Sequence, residues 1–148
     1  MTREWLSRGD VLLLVVVLAA FGIADSVYLT YQWYEHATAS WCDLDPFWSC
    51  TAVRNSPFAA VGGIPTANVG TVGFAAILVL GVLGLRGVDR LGPWSVDRWL
   101  LLFAVAGALV GLGLTFIEIF VIQAVCLLCV IGFAIDLGIL APVVLWLR

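Results

Sequence analysis

Charged side chains are scarce in this chain of 148 residues, and lysine is absent altogether. Only 11% of the residues are charged, all seven cations are arginines, and 63% of the residues are hydrophobic. Soluble domains contain about 25% charged and about 45–50% apolar residues, so this composition excludes an ordinary soluble domain and indicates a membrane protein. The chain also lacks a basic patch, so no binding to nucleic acid is expected.

Long apolar runs take the place of the missing charge. Four of them, at about 11–34, 69–85, 99–122 and 126–146, approach the ~20 residues that a helix needs to cross a bilayer. Backbone polar groups find no water inside a membrane, so each run is predicted to be a helix. We expect an all-α, four-helix membrane bundle that forms a single domain over residues 1–148, with a long outer loop at 35–68. A cleaved signal peptide is the alternative for the first run, although its apolar character extends farther than is usual.

The arginines predict the orientation of this bundle. Only Arg54 lies in the loop after the first run, whereas six others flank the runs on the opposite side: Arg3, Arg8, Arg86, Arg90, Arg98 and Arg148. Positive residues concentrate in cytoplasmic segments of membrane proteins. Both termini are therefore expected in the cytoplasm, and the 35–68 loop and the turn at 123–125 outside it.

All four cysteines fall on the predicted outer side, in two pairs. Cys42 and Cys50 lie in the long loop, and Cys126 and Cys129 open the fourth run. That side is oxidising in bacteria and in the secretory pathway, which permits disulfides. Residues three apart share a helix face, and the positive end of a helix favours thiolates, so the second pair is predicted to be redox-active.

Two such pairs on one side of a membrane allow an electron relay by thiol–disulfide exchange. The loop pair is expected to meet a soluble partner, and the helix pair a lipid-soluble acceptor such as a quinone. Three other interpretations stay open: structural disulfides, a zinc site made by four cysteines, and a transporter or scaffold with incidental cysteines.

Two further patterns predict local structure. Asn55-Ser56-Pro57 is typical of a helix start, so a short helix is expected from 57 to about 61, ended by Gly62-Gly63, with Phe58 on the membrane surface. An ordered surface loop is the alternative. The small residues of Gly107-x-x-x-Gly111 are expected to serve helix packing within the bundle more than dimerisation.

Three acids lie within the apolar runs: Asp25, Glu118 and Asp136. Acids inside a membrane are costly and often functional, and quinone reduction consumes protons, so all three are candidates for proton handling. For Asp25 and Asp136, a hydrogen-bonded structural role is the favoured interpretation, whereas for Glu118, near the cysteines, the two roles are balanced.

The order and spacing of the cysteines resemble those of the vitamin K epoxide reductase family. The matching features are Cys42-x₇-Cys50 after the first run and Cys126-x-x-Cys129 at the fourth, with further matches at Tyr28-Leu29-Thr30, Cys42-Asp43, Ser56 and 62–67. The last stretch is similar to the prokaryotic branch, in forms without a fused thioredoxin domain. The similarity covers about residues 12–135.

The resemblance implies a role for each cysteine. Cys126 and Cys129 correspond to the active-site pair, with Cys129 nearer the quinone. Cys50 corresponds to the shuttle cysteine that attacks Cys126, and Cys42 to the cysteine that exchanges with a partner's thiols. No metal is implied.

The resemblance also implies a substrate pocket, formed by Ser56, Phe58, Thr66, Asn68 and Phe133. Two of these positions depart from the family pattern. Phe133 stands where the family has a tyrosine, and Thr66 where it has an asparagine, with Asn68 close by. Phe133 cannot form a hydrogen bond, so no polar contact to a quinone oxygen is expected from this position.

The implied activity is that of a membrane thiol–quinone oxidoreductase. It would carry electrons from an extracytoplasmic thioredoxin-like protein to a quinone (ubiquinone, menaquinone or vitamin K) and so support disulfide formation. Its expected place is among the lipids of a prokaryotic plasma membrane. The alternatives are a vitamin K (epoxide) reductase of the endoplasmic reticulum and a non-catalytic membrane protein with structural disulfides.

Overall fold

A computed structural model describes residues 7–35, 42–57 and 59–147, and these contain five α-helices. They are α1 (Arg8–Glu35), α2 (Cys50–Arg54), α3 (Thr66–Leu85), α4 (Val96–Ile117) and α5 (Leu127–Leu147). A π-helical turn, Glu118–Ile122, extends α4. Four segments are long and apolar enough to cross a membrane: Arg8–Tyr34, Thr66–Leu85, Val96–Ile122 and Leu127–Trp146. The predicted all-α, four-helix membrane fold is confirmed.

The helix ends differ from the predicted ones because capping groups, not hydropathy, determine them. Helix α1 starts at Arg8, since Ser7 and Asp10 cap each other: Asp10 N donates to Ser7 Oγ (3.2 Å) and Ser7 N to Asp10 Oδ2 (3.2 Å). Helix α4 starts at Val96 because the Ser95 hydroxyl accepts from Arg98 N (3.3 Å).

Helix α3 also starts earlier than predicted, at Thr66, directly after Pro65. Thr66 and Asn68 therefore belong to this helix and not to the outer loop. Helix α5 starts later than predicted, at Leu127, so Cys126 immediately precedes it.

The short helix expected at 57–61 is wrong. Strand β1 (Ala60–Val61) pairs there with β2 (Ile64–Pro65) in an antiparallel hairpin. Gly62 and Gly63 form its turn with φ values of 60° and 84°, a conformation that glycine adopts without strain. Phe58 lies outside the described residues. A second hairpin, β3 (Arg90–Leu91) with β4 (Trp94–Ser95), joins α3 to α4.

The short helix of this region is α2, which starts at the second loop cysteine. Ser49 precedes it in an extended conformation and accepts a hydrogen bond from Ala52 N (3.1 Å) at its hydroxyl. Serine is a favourable residue at this position because it satisfies one of the free N–H groups of the first turn.

The four long helices form a closed ring. Helix α1 packs against α3 and α5, and α4 packs against the same two helices. The apolar core between them contains Val15, Ala19, Ile77, Leu100, Ala104 and Ile139. A second, smaller buried cluster contains Cys42, Cys50, Cys126 and Leu128.

Close approach of α4 and α5 depends on two glycines. A side-chain carbon at Gly107 would lie 2.7 Å from Asp136 Oδ1, and one at Gly111 would collide with the Phe133 ring. The Gly107-x-x-x-Gly111 motif therefore packs α5 within the bundle, as predicted.

The two ends of the bundle differ in chemistry. Arg8, at the start of α1, pairs with Asp89 (3.4 Å) and Asp97 (3.3 Å), in the part of the structure that also carries Arg86, Arg90 and Arg98. The loop cysteines follow the other end of α1, which is 28 residues long. Leu29 of α1 packs against the cysteines, so the cysteines and Arg8 are about 30 Å apart along the helix axis.

Candidate active site

Three sulfur atoms meet at one end of the bundle. Cys42 and Cys50 form a disulfide, whereas Cys126 and Cys129 are free. Cys126 Sγ lies 2.8 Å from Cys50 Sγ, and the sulfurs of Cys42, Cys50 and Cys126 all lie within 4.8 Å of one another. The two cysteine pairs, distant in sequence, are therefore in direct contact through Cys50 and Cys126.

Backbone pairing between the loop and the turn before α5 creates this contact. Trp48 and Val125 form an isolated parallel bridge. Val125 N donates to Phe47 O (2.7 Å), and Ser49 N donates to Val125 O (3.0 Å). Cys126 directly follows Val125, and Cys50 is two residues after Trp48. The bridge therefore sets Cys50 beside Cys126.

Asp43 fixes the other half of the disulfide. Its Oδ1 accepts from Thr51 N (3.0 Å) and from the Ser49 hydroxyl (3.1 Å), and its Oδ2 accepts from the Thr51 hydroxyl (2.6 Å). The carboxylate thus ties the residue after Cys42 to the first turn of α2. The sequence marked Asp43 only as a neighbour of a cysteine, because its partners lie six and eight residues away, beyond the local patterns that Asp usually forms.

The loop pair is buried in this structure, and its expected meeting with a soluble partner stays a prediction. Cys42 is 0% exposed and Cys50 is 3% exposed. Leu29, Val53 and Leu127 pack against the sulfur cluster. Burial of weakly polar sulfur among apolar side chains is favourable, so the loop has to move before a protein partner can reach Cys42.

Cys126 behaves as the capping residue of α5. Its carbonyl accepts from Val130 N (3.1 Å). Its sulfur accepts from the Cys129 thiol and from the backbone N–H groups of Cys129 and Leu128. The hydrogen bond from the Cys129 thiol, more than those from the backbone, holds the pKa of Cys126 below its ordinary value. The predicted thiolate at a helix N-terminus therefore belongs to Cys126.

Glu118 is buried beside both cysteines of the helix pair. The residue is 4% exposed, and its Oε2 accepts from Cys126 N (3.3 Å). Its carboxylate is also close enough to Cys129 to interact with the side chain of that residue. Its backbone carbonyl accepts from Gln123 N and from Ala124 N (3.1 Å). Of the three predicted acids, this one is brought into the cysteine cluster.

The other two acids lie in the bundle interior. Asp25 is near enough to Cys129 to act on it electrostatically, and its Oδ2 faces Gly132. Asp136 faces Gly107, and in the described part of the chain its Oδ2 is the one buried side-chain oxygen or nitrogen without a hydrogen-bond partner.

The predicted pocket residues have local partners of their own. The Ser56 hydroxyl donates to Val53 O (2.6 Å), and the Asn68 side-chain oxygen accepts from the Thr30 hydroxyl (3.0 Å). Thr66 N donates to Ala59 O (2.8 Å), and Phe133 packs over Gly111. These contacts explain how each residue is held, and the quinone pocket stays a prediction. An apolar groove of about 620 Å³ lies elsewhere, between α3 and α4 near Leu91 and Trp99.

The zinc interpretation required the two pairs to converge, and they do converge. However, the metal ligand is a thiolate, and the sulfurs of Cys42 and Cys50 are bonded to each other in this state. A free Cys126 sulfur against a disulfide sulfur is instead the arrangement that exchange requires.

The fold and this site define a class of protein, a four-helix membrane protein in which two cysteine pairs are in contact. Comparison with protein families agrees with this classification. The family model described as "Vitamin K epoxide reductase family" matches residues 13–144, and the chain belongs to that family. Membership supports membrane redox chemistry for this protein.

Proposed function

We propose that the protein is a thiol–quinone oxidoreductase that supports disulfide formation outside the cytoplasm. It would take two electrons from a thioredoxin-like protein at Cys42 and Cys50 and pass them to Cys126 and Cys129. A membrane quinone would receive them. The contact between Cys126 Sγ and Cys50 Sγ, at 2.8 Å, is the observation that carries this proposal.

The proposed internal transfer has two exchange steps. With the loop pair reduced and the helix pair oxidised, the Cys50 thiolate attacks Cys126, and Cys129 leaves as a thiolate. The Cys42 thiolate then attacks Cys50, forms the loop disulfide and releases Cys126. The products are a loop disulfide and a reduced helix pair, which are the redox states of the structure. Thiol–disulfide exchange needs no other reagent for these steps.

The low pKa of Cys126 supports its place in this sequence. A thiol with a lowered pKa leaves faster from a mixed disulfide. Release of Cys126 from the Cys50–Cys126 bond is therefore favoured once Cys42 attacks. The hydrogen bonds from Cys129 and Leu128 stabilise the departing thiolate.

The acceptor would bind near Cys129, between the helix pair and the residues proposed for the pocket. Ser56, Phe58, Thr66, Asn68 and Phe133 remain the proposed lining. Phe133 offers only an aromatic face, so an oxygen of the quinone would find its polar partner elsewhere. Asn68 on α3 is the proposed donor, held in place by its contact with Thr30.

The proposed orientation places the cysteine end outside a prokaryotic plasma membrane and both termini in the cytoplasm. The clustering of arginines near Arg8 supports it, since positive residues stay on the cytoplasmic side. Cysteines introduced at two exposed positions test it: Asn55→Cys should react with an impermeant maleimide in intact cells, and Leu91→Cys only after lysis. The reverse pattern would place the site in the cytoplasm and overturn the proposal.

The activity itself is tested with purified protein in detergent, a reduced thioredoxin-like donor and a quinone. We expect quinone reduction that is stoichiometric with oxidation of the donor. Reduction of vitamin K epoxide without quinone reduction would favour the reductase alternative. Absence of both, with disulfides that resist mild reductant, would favour structural bridges.

A further inference from the structure

Glu118 reaches both cysteines of the helix pair from the end of α4, and the relay described above gives it no task. We propose that Glu118 is the base that accepts the proton of the Cys129 thiol when the helix pair is oxidised. This inference rests on the proposed function, because it concerns the step that follows the internal transfer.

The geometry shows that Glu118 is aimed at this pair and held there. Its carboxylate accepts from Cys126 N at 3.3 Å and is close enough to Cys129 to interact with its side chain. The residue opens a π-helical turn, a rare feature that is frequent at functional sites. Its backbone carbonyl accepts the N–H groups of Gln123 and Ala124, which fixes the backbone of Glu118 relative to the turn before Cys126.

The chemistry requires an acceptor at this position. A Cys126 thiolate and a Cys129 thiol that become a disulfide lose two electrons and one proton. The Cys129 S–H bond breaks, the Sγ–Sγ bond forms, the electrons go to the quinone, and the proton goes to a Glu118 oxygen. Cys126 also contacts the Cys129 thiol, but if it took the proton it would lose the charge that makes it a nucleophile.

The elements packed near Glu118 and Cys129 carry other charged groups. The short helix α2, which packs against the π turn, carries Cys50 and Arg54. Arg54 contacts the Gln32 carbonyl (3.5 Å). Asp25 on α1 acts on Cys129 electrostatically. Asp136, two turns beyond Cys129 on α5, is an equally buried acid that faces Gly107 instead, and it supplies a matched control.

The test follows single-turnover oxidation of the reduced helix pair in full-length protein with Cys42→Ala and Cys50→Ala. Two oxidants are compared, a quinone and the thiol oxidant diamide, across a range of pH. Glu118→Gln keeps an oxygen that can accept from Cys126 N but cannot take a proton. We expect it to slow oxidation about 100-fold, the usual contribution of a general base. Asp136→Asn should stay within about twofold of the parent, since Asp136 does not contact the pair.

The pH profile separates a proton acceptor from a merely structural acid. In the parent, the rate should rise with pH as Glu118 ionises, and Glu118→Gln should lose that dependence. Glu118→Asp, which retains a carboxylate, should keep the dependence at a reduced rate, and it replaces the glutamine variant if that variant does not fold. An unchanged rate and pH profile in Glu118→Gln, or loss of the pH dependence in Glu118→Asp, would overturn the inference.

The two oxidants separate this inference from the proposed function. If the parent reacts with diamide and not with quinone, the acceptor proposal fails, and the diamide data alone decide the role of Glu118. If the quinone is reduced equally fast with glutamine at 118, the base assignment fails and the quinone activity stands.

Discussion

The two cysteine pairs of this protein are held in different ways. The loop pair is fixed by polar side chains and backbone bonds in an irregular segment, with Asp43 as the central acceptor. The helix pair sits at the start of α5, where backbone N–H groups and Glu118 surround it. A loop can open toward a partner, whereas a helix start is fixed by its packing. The difference suits the proposed transfer of electrons from the loop pair to the helix pair.

The largest effects on activity are expected when the cysteines themselves are replaced. Cys126→Ala or Cys129→Ala should abolish activity with any donor. Cys42→Ala or Cys50→Ala should abolish activity with a protein donor and keep much of it with dithiothreitol. Without Cys50, the neighbour of Cys126 is removed, and a small dithiol can reach the helix pair directly. Rates with both donors, measured side by side, check this.

A structural role of the loop disulfide predicts another pattern. Removing a structural bridge costs about 2–5 kcal/mol and would lower the rates with both donors equally. Equal losses, together with lower unfolding temperatures in detergent, would therefore contradict the carrier role.

Replacing Asp43 tests how strongly its hydrogen bonds stabilise the loop around the Cys42–Cys50 disulfide. Asp43→Ala leaves the Thr51 N–H and two hydroxyls without their acceptor, which costs about 1–3 kcal/mol. Opening of the loop should become easier, and dithiothreitol should reduce the buried Cys42–Cys50 bond about tenfold faster, since about 1.4 kcal/mol corresponds to a factor of ten. Asp45→Ala is the control. Asp45 caps Phe47 N (2.8 Å) and Trp48 N (2.7 Å) at an exposed site, farther from the disulfide. Equal acceleration in both variants would mean that Asp43 does not stabilise the loop more than Asp45 does.

The sequence predicted the two cysteine pairs and the four helices, but not the features that depend on contacts between distant residues. The positions of the cysteines indicated the Cys42–Cys50 pair and that a helix start would favour a thiolate. Hydropathy indicated four helices but not their ends, because Ser7, Pro65 and Ser95 determine the ends through capping and backbone geometry. The Gly62-Gly63 pair was interpreted as a helix stop, whereas it forms a hairpin turn.

The burial of Cys42 could not be predicted, because it depends on which distant side chains cover the loop. The Trp48–Val125 bridge is equally invisible in sequence, since one isolated bridge produces no periodic pattern. For the acids, the sequence marked all three as candidates, and only the fold distinguishes Glu118, which touches the cysteines, from Asp136, which faces Gly107.

The electrostatics of the helix pair predict a pH dependence. Because the pKa of Cys126 is lowered, this thiol should remain a thiolate as the pH falls below the range where ordinary cysteines protonate. Cys129→Ala removes its first hydrogen-bond donor and should raise the pKa of Cys126. Thiolate ultraviolet absorbance of the reduced protein, titrated with Cys42 and Cys50 replaced by alanine, checks this. A titration that moves downward in Cys129→Ala would contradict the proposed hydrogen bond.

The smallest effect concerns the fixed position of α5. Gly111→Ala places a carbon against the Phe133 ring and should destabilise the bundle by about 1–3 kcal/mol. Gly113→Ala, on the same helix with open space around it, should stabilise by about 0.5–1 kcal/mol through helix propensity. Denaturant unfolding in detergent measures both. Equal effects would mean that α5 is not held at Gly111.

The contact between Cys50 and Cys126 is the central claim, and trapping tests it most directly. In the double variant Cys42→Ala and Cys129→Ala, neither thiol that can resolve a Cys50–Cys126 disulfide is present, so the oxidised protein should accumulate that disulfide. Alkylation, digestion and mass spectrometry identify the linked peptides. We predict the Cys50–Cys126 link as the major species, and two unlinked cysteines under the same oxidising conditions would contradict the contact.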